Sequence, residues 1–264
     1  MTQWQQIRDR GFAVPGGESV TDLVAELVEM LASPDPTIRD EIAFSAVATW
    51  IDDGVLTDAQ LRDLGAQMAE RFQDRRVQAR TFAPLVLDVI VSCRGVCEPD
   101  WVDAFERWYA SEQDLRGHDT GLGWLHAVAH GADLLGDAGR RKDVGPGRML
   151  DLAAARMVAP TDAVWHDQEP DRLACAMGKV LTRPDLDERE ATAWLDPVAR
   201  LLSDGEPGPV PPQVSNTLHT LRTLYLAVDR GIRIGPDEVI PVPQRATILT
   251  QVAAVLRPAT PWMY

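Results

Sequence analysis

The chain has 264 residues, 45% of them hydrophobic and 25% charged, with 19 Gly and 19 Pro. These proportions exclude a disordered or collagen-like chain and leave room for a sizeable buried core. With 26 Lys+Arg against 40 Asp+Glu the formal charge is -14, which repels nucleic-acid phosphates and anionic membrane surfaces at long range.

The first residues, Met1 to Gln6, lack the basic and apolar regions of a secretory signal. No apolar run approaches the roughly 20 residues of a membrane span. Cys93, Cys97 and Cys175 make no even framework and no four-thiolate zinc site. Reduced thiols and a cytoplasmic location are therefore expected. Nearly all the positive charge is Arg, Lys142 and Lys179 being the only lysines. That matches a compositional bias, and it also suits planar bidentate contacts.

Helical periodicity with stop signals runs along almost the whole chain. Ser19 to Ala32 is predicted helical, ended by Ser33-Pro34-Asp35-Pro36. Thr37 to Asp52 follows, stopped by Asp53-Gly54, and Thr57 caps the next helix through Phe72. Further helices are predicted at about Val77–Cys93, Pro99–Ser111, Asp119–Asp137 and Arg148–Val158. The last four are Pro170–Leu181, Asp187–Leu202, Pro212–Arg230 and Arg245–Leu256. Gly139–Gly147 and Ser203–Pro212 read as loops.

The first members of successive pairs start near Thr37, Val77, Thr120, Glu169 and Gln213, offsets of roughly 40 to 49 residues that match the period of HEAT and armadillo repeats. The predicted fold is thus all-α. It is a HEAT/armadillo-like α-α superhelix of about five helical pairs in one domain, 1–264. Residues 1–33 form an N-terminal helical cap, 37–256 the pairs, and 257–264 a C-terminal tail expected to dock back through Trp262. A non-repeating bundle is the alternative. Most of the eight tryptophans are expected to fill gaps between helices.

The stretch Asp119 to Asp137 is the most unusual. On a helical wheel Asp119, His126, His130, Asp133 and Asp137 fall within about 60° of one another. The stretch contains no Glu, Lys, Arg or Gln, the usual residues of a solvated helix face. Short polar groups among Ala and Gly suit a face approached closely by another helix or by a ligand. His126 and His130, four apart, could reach one metal ion, with Asp133 a turn further on. The Glu of an HExxH motif is missing, and only His166, Asp167 and Glu169 could complete a ligand set. No metal or other cofactor is assigned.

Four segments carry a family resemblance. They are Ile38-Arg39-Asp40-Glu41-Ile42-Ala43-Phe44 with Trp50-Ile51; Arg80-Thr81-Phe82-Ala83-Pro84-Leu85-Val86-Leu87; Gly123 through Leu135; and Glu169 through Ala174. Together they resemble a bacterial family known as domain of unknown function 2785. The resemblance implies an all-helical protein and brings no activity, substrate or catalytic residue. All four segments lie on first helices of pairs, so Arg39, Asp40, Arg80, Trp124, Asp171 and Arg172 are candidate ligand-binding residues of one groove, extended by His219 and Arg222. Each Arg beside an acid is equally an ordinary ion pair.

Two functions follow from this reading. The first is a helical-repeat protein whose groove binds a peptide, a protein partner or an anionic small molecule. The second is an enzyme using His126 or His130 as acid/base with Asp133. No nucleic-acid or membrane partner is expected, and the oligomeric state is open.

Overall fold

The computed structural model describes residues 3–204 and 208–263. Residues 1–2, 205–207 and 264 lie outside it, so the expected cap, 203–212 loop and C-terminal tail are each described only in part. The chain is mostly helical. It forms α1 (Gln3–Asp9), α2 (Val20–Met30), a π-helical segment (Thr37–Phe44) running into α3 (Ser45–Asp52), α4 (Asp58–Arg71), α5 (Val77–Arg94) and α6 (Pro99–Ser111). A short antiparallel hairpin follows, β1 (His118–Asp119) with β2 (Gly123–Trp124). Then come α7 (Ala127–Gly139), α8 (Pro146–Val158), α9 (Glu169–Leu181), α10 (Glu190–Ala193), α11 (Leu195–Ser203) and α12 (Pro212–Arg230). A second hairpin, β3 (Ile232–Arg233) with β4 (Val239–Ile240), precedes α13 (Arg245–Leu256).

Local signals explain most of these ends. Thr57 and Gln60 make a reciprocal capping box at α4. Gly95, between Cys93 and Cys97, caps α5 at φ +65, a conformation glycine adopts without strain. The helix expected over Asp187–Leu202 is instead two helices, because Pro197 has no N–H for the carbonyl of Ala193 and α11 starts afresh at Leu195.

The second departure matters more. The helix expected from Asp119 begins only at Ala127. Asp119 Oδ1 accepts the N–H groups of Gly121 and Leu122, both at 2.9 Å. This side-chain-closed turn outcompetes the first helical turns and produces the hairpin. Asp119 therefore leaves the histidine stripe, and His126 precedes α7 instead of lying within it.

The chain forms two compact units. The N-terminal unit comprises 1–108 and 116–134; the C-terminal unit comprises 109–115 and 135–264. In the N-terminal unit α3 and α4 both pack on α5, and α6 seats Trp101 against Gly65 of α4. Trp4 of α1 meets Trp50 of α3, ring centroids 6.1 Å apart. The Trp50 indole N–H donates to the carbonyl of Phe12 at 2.6 Å. Phe72 stacks on Trp108 at 4.9 Å. Each such buried ring or aliphatic chain contributes on the order of 1.5–3 kcal/mol over its exposed state.

In the C-terminal unit α9 lies along α12, and α11 packs on both α8 and α13. Met149, Met177, Trp194, Leu221 and Val252 are among its fully buried side chains. Here the small residues of α7 find their reason. A Cβ added at Gly136 would stand 3.0 Å from Ala176 Cα, and one at Gly139 would stand 2.5 Å from Val180 Cγ2. The Ala/Gly face of α7 is thus approached closely by α9, with Lys179 Nζ on Asp137 at 2.8 Å. Of the eight tryptophans, Trp124 and Trp262 are exposed. Trp262 is 78% exposed, so the expected self-docking of the tail does not occur through this ring. Thr260 is buried, and its hydroxyl donates to the carbonyl of Leu256 one turn earlier.

Candidate functional site

Arginine side chains do much of the work of closing helix ends. Arg94 donates to the carbonyls of Ile51 and Leu56. Buried Arg156 donates to Tyr109 and Glu112, and Arg183 to Gly139, Arg141 and Val144. Helices leave terminal carbonyls without internal partners, and a five-donor fork serves several at once. The Arg bias of the sequence has this structural use.

Arg39 is likewise spent on backbone carbonyls, here those of the hairpin, which removes it from the expected groove. It is 0% exposed. Its Nε donates to Asp40 Oδ1 at 2.6 Å and its Nη2 to the carbonyls of Leu122 (2.8 Å) and Trp124 (3.1 Å). Its Cζ lies 4.5 Å from the centre of the Phe82 ring, a cation–π distance. Side chains one residue apart do not face each other on an α-helix; the Arg39–Asp40 pair forms on the π-helical segment. Burial raises the Asp40 pKa, although the Arg39 hydrogen bond and charge oppose the rise. Arg80 turns back to the loop before α5, donating to the carbonyls of Asp74 and Arg75.

In the N-terminal unit the hairpin and the start of α7 assemble a file of rings. His118 meets Trp124 at 4.7 Å and Trp124 meets His126 at 4.4 Å. His126 meets His130 at 5.6 Å, and His130 meets Phe82 at 5.3 Å. The file runs from exposed His118 and 45%-exposed Trp124 to buried Phe82. His126 adopts φ +47, a left-handed backbone uncommon for a non-glycine residue. His130 Nδ1 donates to the carbonyl of Thr81 at 2.9 Å, which fixes the ring and leaves the lone pair of the neutral imidazole on Nε2. Asp133 follows on α7, half-buried. Among the described residues no third His, Cys, Asp or Glu ligand atom joins both His126 and His130 within 4.8 Å.

Asp171 and Arg172 belong to the C-terminal unit, at the exposed start of α9. Asp171 lines a cleft of about 430 Å³ together with Trp165, His166, Gln168, His219 and Arg222. The volume lies in the range of small-molecule sites. The cleft is built on a pinned loop. Asn216, fully buried on α12, accepts the N–H of Trp165 at 2.9 Å and donates to the carbonyl of Ala163 at 2.9 Å. Thr223 Oγ1 donates to Asp171 Oδ1 at 2.8 Å, tying α12 to α9 across one wall. Gln168 enters α9 at φ +68, in the left-handed region like His126 and Phe12. Next to it Glu169 is buried and accepts the N–H of Asp167 at 2.8 Å; burial pushes its carboxyl pKa up.

Trp165 is 4% exposed, and its indole nitrogen is buried with no hydrogen-bond partner among the described residues. The side chains of His166, Gln168, His219 and Arg222 form no hydrogen bond or ion pair among the described residues. The sequence reaches Asp171 through the family-resembling segment Glu169–Ala174, His219 and Arg222 through the succession of first helices, and His166 only as a possible metal ligand. It missed Trp165, Gln168 and Asn216. Asn216 carried one usable signal, a poor helix former amid Ser215 and Thr217 in an otherwise periodic helix.

The model of a family described as Protein of unknown function (DUF2785) matches residues 64–226. No curated protein and no solved structure matches the chain. The matched span includes the ring file and every residue of the cleft; Arg39 and Asp40 lie before it.

Proposed function

Because the chain belongs to the DUF2785 family, whose description assigns no chemistry, we propose from the geometry alone that it is a helical binding protein that holds a small molecule in the cleft between α9 and α12. One observation carries the reading: Trp165, whose buried indole N–H has no acceptor among the described residues, lines a cleft in which the side chains of His166, Gln168, His219 and Arg222 hold no hydrogen bond among the described residues. A buried donor left unpaired costs about 1–3 kcal/mol, and a ligand that supplies the acceptor recovers it. The cleft rests on two packed helices and a loop pinned by Asn216, a preorganised frame. In this reading the helices of each unit are HEAT/armadillo-like pairs. Supporting it, first helices neighbour first helices (α3 on α5, α9 on α12) and second helices neighbour second helices (α4 on α6, α8 and α13 on α11).

The test is a native mass spectrum of gently purified full-length protein, compared with the denatured mass. A stoichiometric small molecule, absent from the Asn216→Ala variant, is the expected result. Apoprotein alone, with no adduct after incubation with a metabolite extract, would refute the reading.

The ring file favours a second reading, an acid–base enzyme built on His126 and His130 with Asp133. Its support is the left-handed backbone of His126 and the fixed tautomer of His130, since strain of this kind gathers at working sites. It requires a turnover that His126→Asn abolishes while the fold is kept.

A further inference from the structure

We infer that the ligand of the α9–α12 cleft is a small oxyanion, a molecule bearing a carboxylate or a phosphate. The inference rests on the small-molecule reading above and gives its chemical class.

The donors decide the class. Arg222 presents a planar, permanently charged guanidinium from the exposed face of α12, one turn from His219. His166 stands on the pinned loop beside Trp165. Acids outnumber bases 40 to 26 along the chain, yet Arg222 holds no carboxylate among the described residues. Asp171, the acid lining the cleft, has an oxygen engaged by the Thr223 hydroxyl. A guanidinium, two imidazoles and an indole N–H all donate, and indole and guanidinium cannot accept. Their common complement is an acceptor with several lone pairs and negative charge. Carboxylate and phosphate meet that requirement, and Arg binds both through parallel bonds.

The indole nitrogen is buried, so an oxyanion reaches it only after a local rearrangement of the cleft lining. His166 and Gln168 flank Trp165, are exposed, and hold no side-chain hydrogen bond among the described residues. Turning either breaks no hydrogen bond. Pro170 supplies apolar lining beside them.

The experiment uses the full chain labelled with 15N at tryptophan, the Trp165 indole resonance being identified by its loss in Trp165→Phe. Sodium phosphate, sodium acetate, acetamide and sodium chloride are titrated separately at millimolar concentrations. Saturable movement of the Trp165 resonance by phosphate or acetate, and not by chloride or acetamide, is expected; the anion that saturates first names the head group. Arg222→Gln should weaken that binding about tenfold or more, the effect of one charge-assisted bond. Asp171→Asn should tighten it by removing a like charge. Movement by acetamide alone would overturn the oxyanion inference and leave the small-molecule cleft standing. A shift of equal size with chloride, marking an adventitious ion only, would overturn it too. A resonance that none of the four moves would overturn the oxyanion inference, and the native mass spectrum decides whether the small-molecule reading falls with it.

Discussion

Replacing Arg39 by Met keeps the aliphatic stem and removes the fork. The structure sets what is then lost. Asp40 loses a partner held at 2.6 Å and 3.2 Å. The carbonyls of Leu122 and Trp124, which bracket Gly123 of the hairpin, lose theirs at 2.8 Å and 3.1 Å. Phe82 loses the cation over its face. Asp40 keeps part of its exposure, so its own loss is smaller than the roughly 3–5 kcal/mol of a fully buried pair, and the two carbonyls left without a donor bring the total back to about that range. Whole-protein stabilities are about 5–15 kcal/mol, so the variant should fold but unfold much more readily. At about 2–4 °C per kcal/mol for a chain of this size, the melting temperature should fall by roughly 6 to 20 °C. Asp40 already has its pKa raised by burial, and without Arg39 it should rise further. The deficit should therefore be smallest at acid pH, where Asp40 is protonated, and Asp40→Asn in the same chain should recover part of it. Urea unfolding followed by tryptophan fluorescence measures the stability, across pH and in the double-mutant cycle. A change of less than about 0.5 kcal/mol, the range of ordinary surface substitutions, would refute the assignment of Arg39 as the hairpin's anchor and return it to the candidate ligand set.

Two further expectations concern packing and pH. A Cβ at Gly65 would stand 2.2 Å from the Trp101 ring, whereas one at Gly178 would stand 2.5 Å from the terminal methyl of Ile232. Gly65→Ala should therefore cost about 1–3 kcal/mol by overpacking against a rigid ring, and Gly178→Ala clearly less, since a methyl can swing away; thermal denaturation of the pair checks the order. Glu169 has its carboxyl pKa raised by burial, so the folded state binds this proton more tightly than the unfolded chain. Its contribution to stability should fall as pH rises from the usual glutamate value through the raised one, and Glu169→Gln should flatten that part of a stability–pH profile measured by urea titration.

The sequence alone determined the mostly helical character and many helix boundaries. α6 and α12 span the residues the periodicity predicts and each opens on a proline, Pro99 and Pro212, while the capping box of α4 and the left-handed Gly95 after α5 set ends within a few residues of themselves. The start of α7 was also legible locally. Asp119, Gly121 and Gly123 are turn residues, and hydrophobic spacing outweighed them in the prediction. Tertiary structure alone decided the roles of the charged residues. Arg39 beside Asp40 reads the same as a groove ligand or an internal anchor. The choice falls to carbonyls 83 and 85 residues away, at Leu122 and Trp124. The cleft is of the same kind. Trp165, Asp171 and Arg222 come together because Asn216 on α12 clamps a loop about fifty residues earlier in the chain, 51 for Trp165 and 53 for Ala163. Periodicity reports which face of a helix is buried; it does not report which distant backbone group a long polar side chain will reach, because that depends on how helices far apart in sequence come to pack.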